Sequence, residues 1–136
     1  MGNSDQTKKK KKRHVRPSAK AIIIRDNQIL LQRCDFGDGV MCNLFPGGGQ
    51  EYGETLTETI ERECLEEIGA RVRAKKLLYI REYRSVNHEF AVGKKIHSVE
   101  FYFVCDLVTE PSWDRAFHPD RVQVGIEWVP LAELEQ

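Results

Sequence analysis

Hydrophobic and polar positions alternate along this chain in two different rhythms. Residues 18–25 (SAKAIIIR) and 28–33 (QILLQR) carry β-branched or alternating apolar runs on either side of Asp26-Asn27. That pattern predicts two strands joined as a hairpin. Residues 34–42 hold two Gly and two Asp and predict a loop. Residues 43–45 make a short strand stopped by Pro46-Gly47-Gly48-Gly49. Residues 71–83 alternate loosely and end in LLYIREY, a long strand, and residues 84–95 are polar and predict a loop. Residues 98–106 (SVEFYFVCD) are the clearest strand. After a loop over 111–120, residues 122–129 form a last strand, and residues 131–136 begin a helix. There is no internal repeat and no sign of a second domain. Strands, helix, strands, helix is the order of a mixed α/β or α+β domain.

The other rhythm belongs to residues 47–70, GGGQEYGETLTETIERECLEEIGA, with seven glutamates and one arginine. Thr55 followed by Glu58 is a capping box, and Gly69 is a natural helix stop. With Leu56 at 0°, Ile60, Cys64 and Ile68 fall near about 40°, 80° and 120°. They form a stripe facing the core. Glu63, Glu66 and Glu67 fall near about 340°, 280° and 20°, with Glu67 closest to the core.

This arrangement is locally unfavourable. Glu63 makes like-charge pairs with Glu66 and Glu67, each costing about 0.2–0.5 kcal/mol. Glu66 and Glu67 also stand at the helix end whose dipole disfavours anions. A hard divalent cation removes the conflict, since Mg²⁺ takes oxygen ligands and accepts a few carboxylates together with phosphates. On spacing alone, a solvated acidic helix is the alternative. The preceding Pro-Gly-Gly-Gly run permits tight turns and close backbone approach to a ligand. Glu54 lies about 80° from Arg62 on an ideal helix, so Arg62 is placed to tie the loop to the helix.

Charge alters the picture at one end. The chain of 136 residues is neutral overall, but residues 1–16 hold seven basic residues against Asp5. From Pro17 onward 14 basic face 20 acidic residues, a net charge of about −6. Residues 1–16 are expected to be a disordered basic leader, and 17–136 a single domain. A polyanion such as RNA is one partner for that leader; a plain solvated segment is the other reading. Gly2 does not complete a myristoylation motif, because position six is Gln6. No apolar run approaches the ~18–20 residues of a membrane helix. No secretory signal pattern opens the chain. Cys34, Cys42, Cys64 and Cys105 form no CxxC pair and are expected to be reduced thiols of a cytoplasmic protein. The four histidines show no ligand spacing.

Residues 48–70 resemble the Nudix signature: Gly, five residues, Glu, seven residues, Arg-Glu, apolar, any, Glu-Glu, any, Gly, apolar. Gly48, Glu54, Arg62-Glu63, Cys64, Glu66-Glu67, Gly69 and Ala70 fill every specified position. The surroundings agree over most of 18–133, with Phe-Pro-Gly-Gly before the helix and Glu-Trp-Val-Pro-Leu near the end. The resemblance implies an α/β/α sandwich with a central mixed β-sheet. It implies an enzyme that hydrolyses a pyrophosphate bond in a nucleoside diphosphate linked to another moiety, such as a nucleoside triphosphate or a related small nucleotide. By position, Glu63, Glu66 and Glu67 would bind Mg²⁺ or Mn²⁺ with the Gly48 carbonyl. Glu54 would support the metal through water or orient Arg62. Glu63 is the first candidate for general base, with Glu89, Glu100 and Glu110 as alternatives on other segments. Arg33 stands where MutT-like members place a basic residue near the phosphates. Phe36, Phe45 and Tyr83 are candidates for stacking on a base, with ordinary packing as the alternative.

Several subfamily markers are absent. No proline follows Ala70 within a dozen residues, no tyrosine lies sixteen to eighteen residues past the box, there is no SQPWP-like run, and Asn43 replaces a frequent Trp. The substrate therefore stays open. Two further classes stand beside a small-molecule hydrolase: an enzyme acting on RNA 5′ ends, and a catalytically silent nucleotide-binding module. The last segment, LAELEQ, is barely more than one helical turn, where the family closes with a full helix. That leaves a truncated chain or a short last helix. Nothing in the sequence decides between monomer and homodimer.

Overall fold

The computed structural model describes residues 14–37, 39–85, 96–117 and 122–134. The described residues form two four-stranded sheets and one α-helix. The first sheet has the order β5-β1-β7-β6, from Gly47–Gly49 (β5), Arg16–Ile22 (β1), His97–Leu107 (β7) and Val72–Arg84 (β6). It is mixed: β1 runs parallel to β7, and the β1–β5 and β6–β7 pairs are antiparallel. In the second sheet Gln28–Asp35 (β3) pairs with Ile24–Arg25 (β2), Met41–Leu44 (β4) and Gln123–Pro130 (β8). The expected mixed α/β class with a central mixed sheet is present. Among the described residues, 131–133 make a single 3-10 turn, shorter than the helix expected at the end of the chain.

Two apolar clusters each join residues of both sheets. The helix Leu56–Ile68 (α1) buries Ile60, Cys64 and Ile68 against Ala19, Ala21, Leu30, Val72 and Cys105. A second cluster joins Ile22, Ile29, Leu31, Tyr102 and Val129, with Phe45 and Leu131 packed on it. On β1 the alternation sends Ala19 and Ala21 toward the helix and their neighbours to the opposite face. The expected helical stripe is thus the one buried, and Leu65, off that stripe, is exposed.

Four sequence expectations change. Residues 18–25 are not one hairpin arm. The chain leaves the first sheet after Ile22 and enters the second as β2, so only Ile24 and Arg25 pair with β3. The turn itself is as expected. Asp26 (φ 53) and Asn27 (φ 61) are both left-handed, a conformation these two residue types tolerate and two-residue hairpins require. Gly47–Gly49, expected as a stop, is a strand paired with β1. β1 also begins at Arg16, inside the segment expected to be a leader; the remainder of that segment up to Arg13 lies outside the described residues. The loop expected over 34–42 is shorter, because β3 runs to Asp35 and β4 starts at Met41.

The ends of α1 explain its placement. Both bonds of the capping box are made: Thr55 Oγ1 accepts from the Glu58 N–H at 3.1 Å, and Glu58 Oε1 accepts from the Thr55 N–H at 2.9 Å. Gly69 ends the helix at φ 63. A Cβ there would lie 2.4 Å from the Ser112 carbonyl oxygen and 3.0 Å from the Ala116 nitrogen, both backbone. Thr55→Ala should lower stability by about 1 kcal/mol through loss of the cap. Gly69→Ala should cost clearly more, at least about 2 kcal/mol, because strain and a backbone clash add. Urea unfolding of the three proteins checks this; equal midpoints for the two variants would contradict the account of Gly69.

Candidate active site

The site is built where β5 meets the side of α1. The alternation of β3 points Gln32 inward and Arg33 outward, and the box helix lies over the inward side. Arg62 is the hub. Its Nε donates to Glu54 Oε2 at 2.5 Å and its Nη2 to Glu54 Oε1 at 3.1 Å, a two-point contact. The same Nη2 donates to the Gly49 carbonyl oxygen at 3.2 Å. Nη1 donates to Glu63 Oε2 at 2.9 Å and lies 3.5 Å from Glu66 and 3.8 Å from Glu51. The glutamate loop is thereby stapled to the helix, as the spacing of Glu54 and Arg62 predicts. Arg62 holds the Glu54 carboxyl down to about 2, helped by the Glu51 N–H and the Thr59 hydroxyl. The Glu54 contact in turn raises the Arg62 guanidinium above its ordinary value.

Glu63 and Glu67 take different positions. Glu63 lies on the box backbone: a Cβ on Gly48 would stand 2.7 Å from its carboxyl carbon and from Oε2. Only glycine leaves room for that carboxylate at the strand. Glu67 is almost fully buried, at 2% exposure. Its Oε1 accepts from the Gly47 N–H at 3.1 Å and from Gln32 Nε2. A buried carboxylate needs such donors, and these two fix the direction in which Glu67 points. Glu66 meets Arg62 and is part-exposed.

The end of α1 is closed by later parts of the chain. Three successive carbonyls, of Glu67, Ile68 and Gly69, accept from Gln123 Nε2 at 2.8 Å, the Ser112 N–H at 2.8 Å and Arg115 Nε at 3.4 Å. These donors satisfy the orphan helix carbonyls and offset the dipole that Glu66 and Glu67 oppose. Gln32, Gln123 and Arg115 were not singled out by sequence reasoning. Gln32 carries one signal in hindsight, a polar residue at an inward position of an apolar strand. Gln123 Oε1 is buried without a hydrogen-bond partner among the described residues.

Other candidates lie elsewhere. Arg33 points to the opposite side of β3 from Gln32 and pairs with Glu127 at 3.1 Å, so it is not among the residues gathered at Arg62. Glu110 is held by Arg25 at 2.5 and 3.3 Å, which lowers its pKa. Glu100 accepts from the Tyr102 hydroxyl at 2.9 Å and faces Arg81 at 3.7 Å. Burial and this bond to Glu100 both raise the Tyr102 phenol. Glu89 lies outside the described residues. Phe45 packs edge-on against Tyr102, Phe36 is partly exposed, and Arg81 lies over Tyr83. His97 meets Glu82 at 2.6 Å and His14 is exposed; His88 and His118 lie outside the described residues. All four cysteines are free thiols, with Cys34, Cys64 and Cys105 buried. Burial drives Cys64 well above the ordinary thiol value and Cys105 up to about 12, so neither is a ready nucleophile. Among the described residues no helix is long and apolar enough to cross a membrane.

The donor set tests whether a divalent cation suits the site. Glu63, Glu66, Glu67 and the Gly48 carbonyl are all hard oxygen donors, which fits Mg²⁺ or Mn²⁺ and not a soft metal. The close seat of Glu63 on Gly48 brings a carboxylate to that backbone. Among the described residues, no three acidic, His or Cys side chains are already gathered at metal-binding spacing. Arg62 occupies the space between Glu63 and Glu66. The chemistry of the donors fits; their closure round an ion requires side-chain rotation.

Comparison with known proteins places this geometry. The sequence profile of the NUDIX domain matches residues 14–136. The chain is 34% identical over 116 residues to nucleoside diphosphate-linked moiety X motif 6 of Xenopus laevis, covering 85% of this chain and 50% of that protein. It is 32% identical over 95 residues to an ADP-ribose pyrophosphatase of Methanocaldococcus jannaschii, covering 70% and 53%. The chain thus spans about half the length of these relatives. Among solved structures, a NUDIX hydrolase from Nitrosomonas europaea superposes with a TM-score of 0.73 at 22% identity, covering 90% of this chain and 76% of that one. A MutT NUDIX hydrolase from Burkholderia pseudomallei does so at 0.69 and 24% identity, covering 91% and 89%. With the box complete, its arginine and glutamates packed on the glycine strand and the profile matched over nearly the whole chain, this protein belongs to the Nudix family.

Proposed function

We propose that this chain is a divalent-cation-dependent hydrolase of a pyrophosphate bond in a nucleoside diphosphate linked to another moiety. The observation that carries this reading is the placement of Glu63 on Gly48 and of buried Glu67 on the Gly47 N–H, with Arg62 fixing the loop between them. A helix serving only as surface has no use for a buried carboxylate held by two donors. The names of the relatives, one linked to nucleoside diphosphates and one to ADP-ribose, agree with the substrate class.

Glu63, Glu66, Glu67 and the Gly48 carbonyl would hold Mg²⁺ or Mn²⁺. When bound, that ion supplies charge neutralisation at the phosphoryl oxygens and acidifies a water. The chain's own residues do the rest. Gln32 and the Gly47 N–H hold Glu67 Oε1 and so fix the direction of its carboxylate. Arg62 keeps the glycine strand against the helix. Glu63 meets Arg62 through Oε2, so Oε1 is the atom we assign to take the proton from the attacking water. The water oxygen joins phosphorus, one anhydride P–O bond breaks, and the leaving phosphate departs as an anion. Glu110 is a poorer base, closed in its two-point contact with Arg25.

A product-resolved hydrolysis screen tests the reaction. Nucleoside triphosphates, oxidised ones included, ADP-ribose, nucleotide sugars, dinucleoside polyphosphates and 5′-triphosphate RNA would be incubated with and without Mg²⁺. Cleavage of one class only with the ion is expected; silence across the panel from a folded protein would overturn the assignment. Glu67→Gln should reduce turnover by about 10²-fold or more. Gln32→Leu should also reduce turnover while the protein stays folded, because Glu67 loses the donor that aims it. A mutant as active as the parent would remove that role. Millimolar Mg²⁺ should raise the melting temperature of the parent by mass action on the folded state, and raise it less in Glu67→Gln. Equal shifts in both proteins would place the ion elsewhere.

A further inference from the structure

The strand Gly47–Gly49 has a second side. One side carries Glu63 on Gly48. On the other, a Cβ on Gly49 would meet Arg16 Nε and Nη2 at 2.1 Å. The Arg16 guanidinium therefore lies directly on the Gly49 backbone. Gly49 is held between two arginines, with Arg62 on its carbonyl oxygen and Arg16 over its Cα. Their circumstances differ. Arg62 is surrounded by carboxylates, whereas Arg16 has no ion pair or hydrogen bond among the described residues.

Strand register shows what shares the face with Arg16. Directly paired residues point the same way. Arg16 pairs with Ser98, and Ser98 with Tyr83. In the next row, Gly49 pairs with Ser18, Ser18 with Glu100, and Glu100 with Arg81. This is the face turned away from Ala19 and the helix. Ser18 and Ser98 are buried at 7% and 5% exposure, so the floor is polar and recessed. Glu100 is the one carboxylate in these two rows, and it is engaged by the Tyr102 hydroxyl and Arg81. Arg16 is left with its whole fork of donors. A surface arginine with nothing to bind ordinarily extends into water; this one lies on the glycine backbone beside a hydroxyl floor.

We infer that Arg16 is an anion site across the glycine strand from the carboxylates, and that it holds the substrate phosphate remote from the cation. The ligand class is a nucleoside diphosphate. A planar, unpaired guanidinium matches two phosphate oxygens, and Ser18 and Ser98 offer hydroxyl donors beneath it. Glu100 then faces the hydroxyl-bearing group attached to that phosphate. The identity of the phosphate as substrate rests on the proposed function; the anion site itself does not.

The test separates the two. Binding of ADP, and of inorganic pyrophosphate, would be measured by calorimetry in EDTA, without any cation, on the parent, Arg16→Gln and Arg16→Lys. Arg16→Gln should weaken ADP binding about tenfold, and Arg16→Lys about threefold, because charge is kept but the fork is lost. On a cleaved substrate, Arg16→Gln should raise KM about tenfold with kcat within about threefold, the signature of lost ground-state binding. Unchanged ADP binding by Arg16→Gln, or no binding by the parent at millimolar ADP, would overturn the inference. Arg16-dependent binding by a protein that hydrolyses nothing would overturn the proposed function and leave the anion site standing.

Discussion

Four carboxylates and a backbone carbonyl converge on the guanidinium of Arg62. The rest of the site depends on that convergence. Glu54, Glu63 and Glu66 would repel one another in a partly buried corner, where water screens charge less than at an open surface. One planar cation with five donors answers them in different directions at once. A lysine would neutralise the charge without ordering the loop, since only the fork reaches Glu54 at two points and Gly49 at the same time. The acids are thereby held close together, and the glycine strand is kept within reach of the helix.

A second constraint comes from the glycines. Gly48 makes room for the Glu63 carboxylate and Gly49 for Arg16, on opposite sides of one three-residue strand. Side chains at these positions would push a charged group off its seat on one side or the other. Both absences of a Cβ are thus tied to charge placement and not to turning the chain, since neither residue has a positive φ. Gly69, by contrast, is required for conformation as well as space.

Much of this was legible in the chain. The capping box, the Gly69 stop, the buried stripe of Ile60, Cys64 and Ile68, and the Glu54–Arg62 tie all follow from spacing on one helix. Local geometry decides such features, so local sequence carries them. The parts that were not legible depend on partners far along the chain. That β1 sits in one sheet and β2 in the other is decided by pairing with β7, some eighty residues later. Gln32 is a neutral side chain in an apolar strand, and only the inward direction of β3 at that position brings it to Glu67. Arg16 was grouped with the basic residues before it, and nothing local marks it as the start of a central strand.

The closing of the helix end has a consequence for the order of assembly. The donors on the carbonyls of Glu67, Ile68 and Gly69 come from Gln123, Ser112 and Arg115, and Glu67 is fixed from the other direction by Gln32. A nascent chain that has emerged only as far as β7 owns every acidic side chain of the box but none of the later donors. Its last helix carbonyls lack their donors, while both donors to the Glu67 carboxylate, Gln32 and the Gly47 N–H, are already present. Contacts of such long sequence separation form after loops have closed, so the helix end is capped late, after the acids and the glycine strand are already in hand.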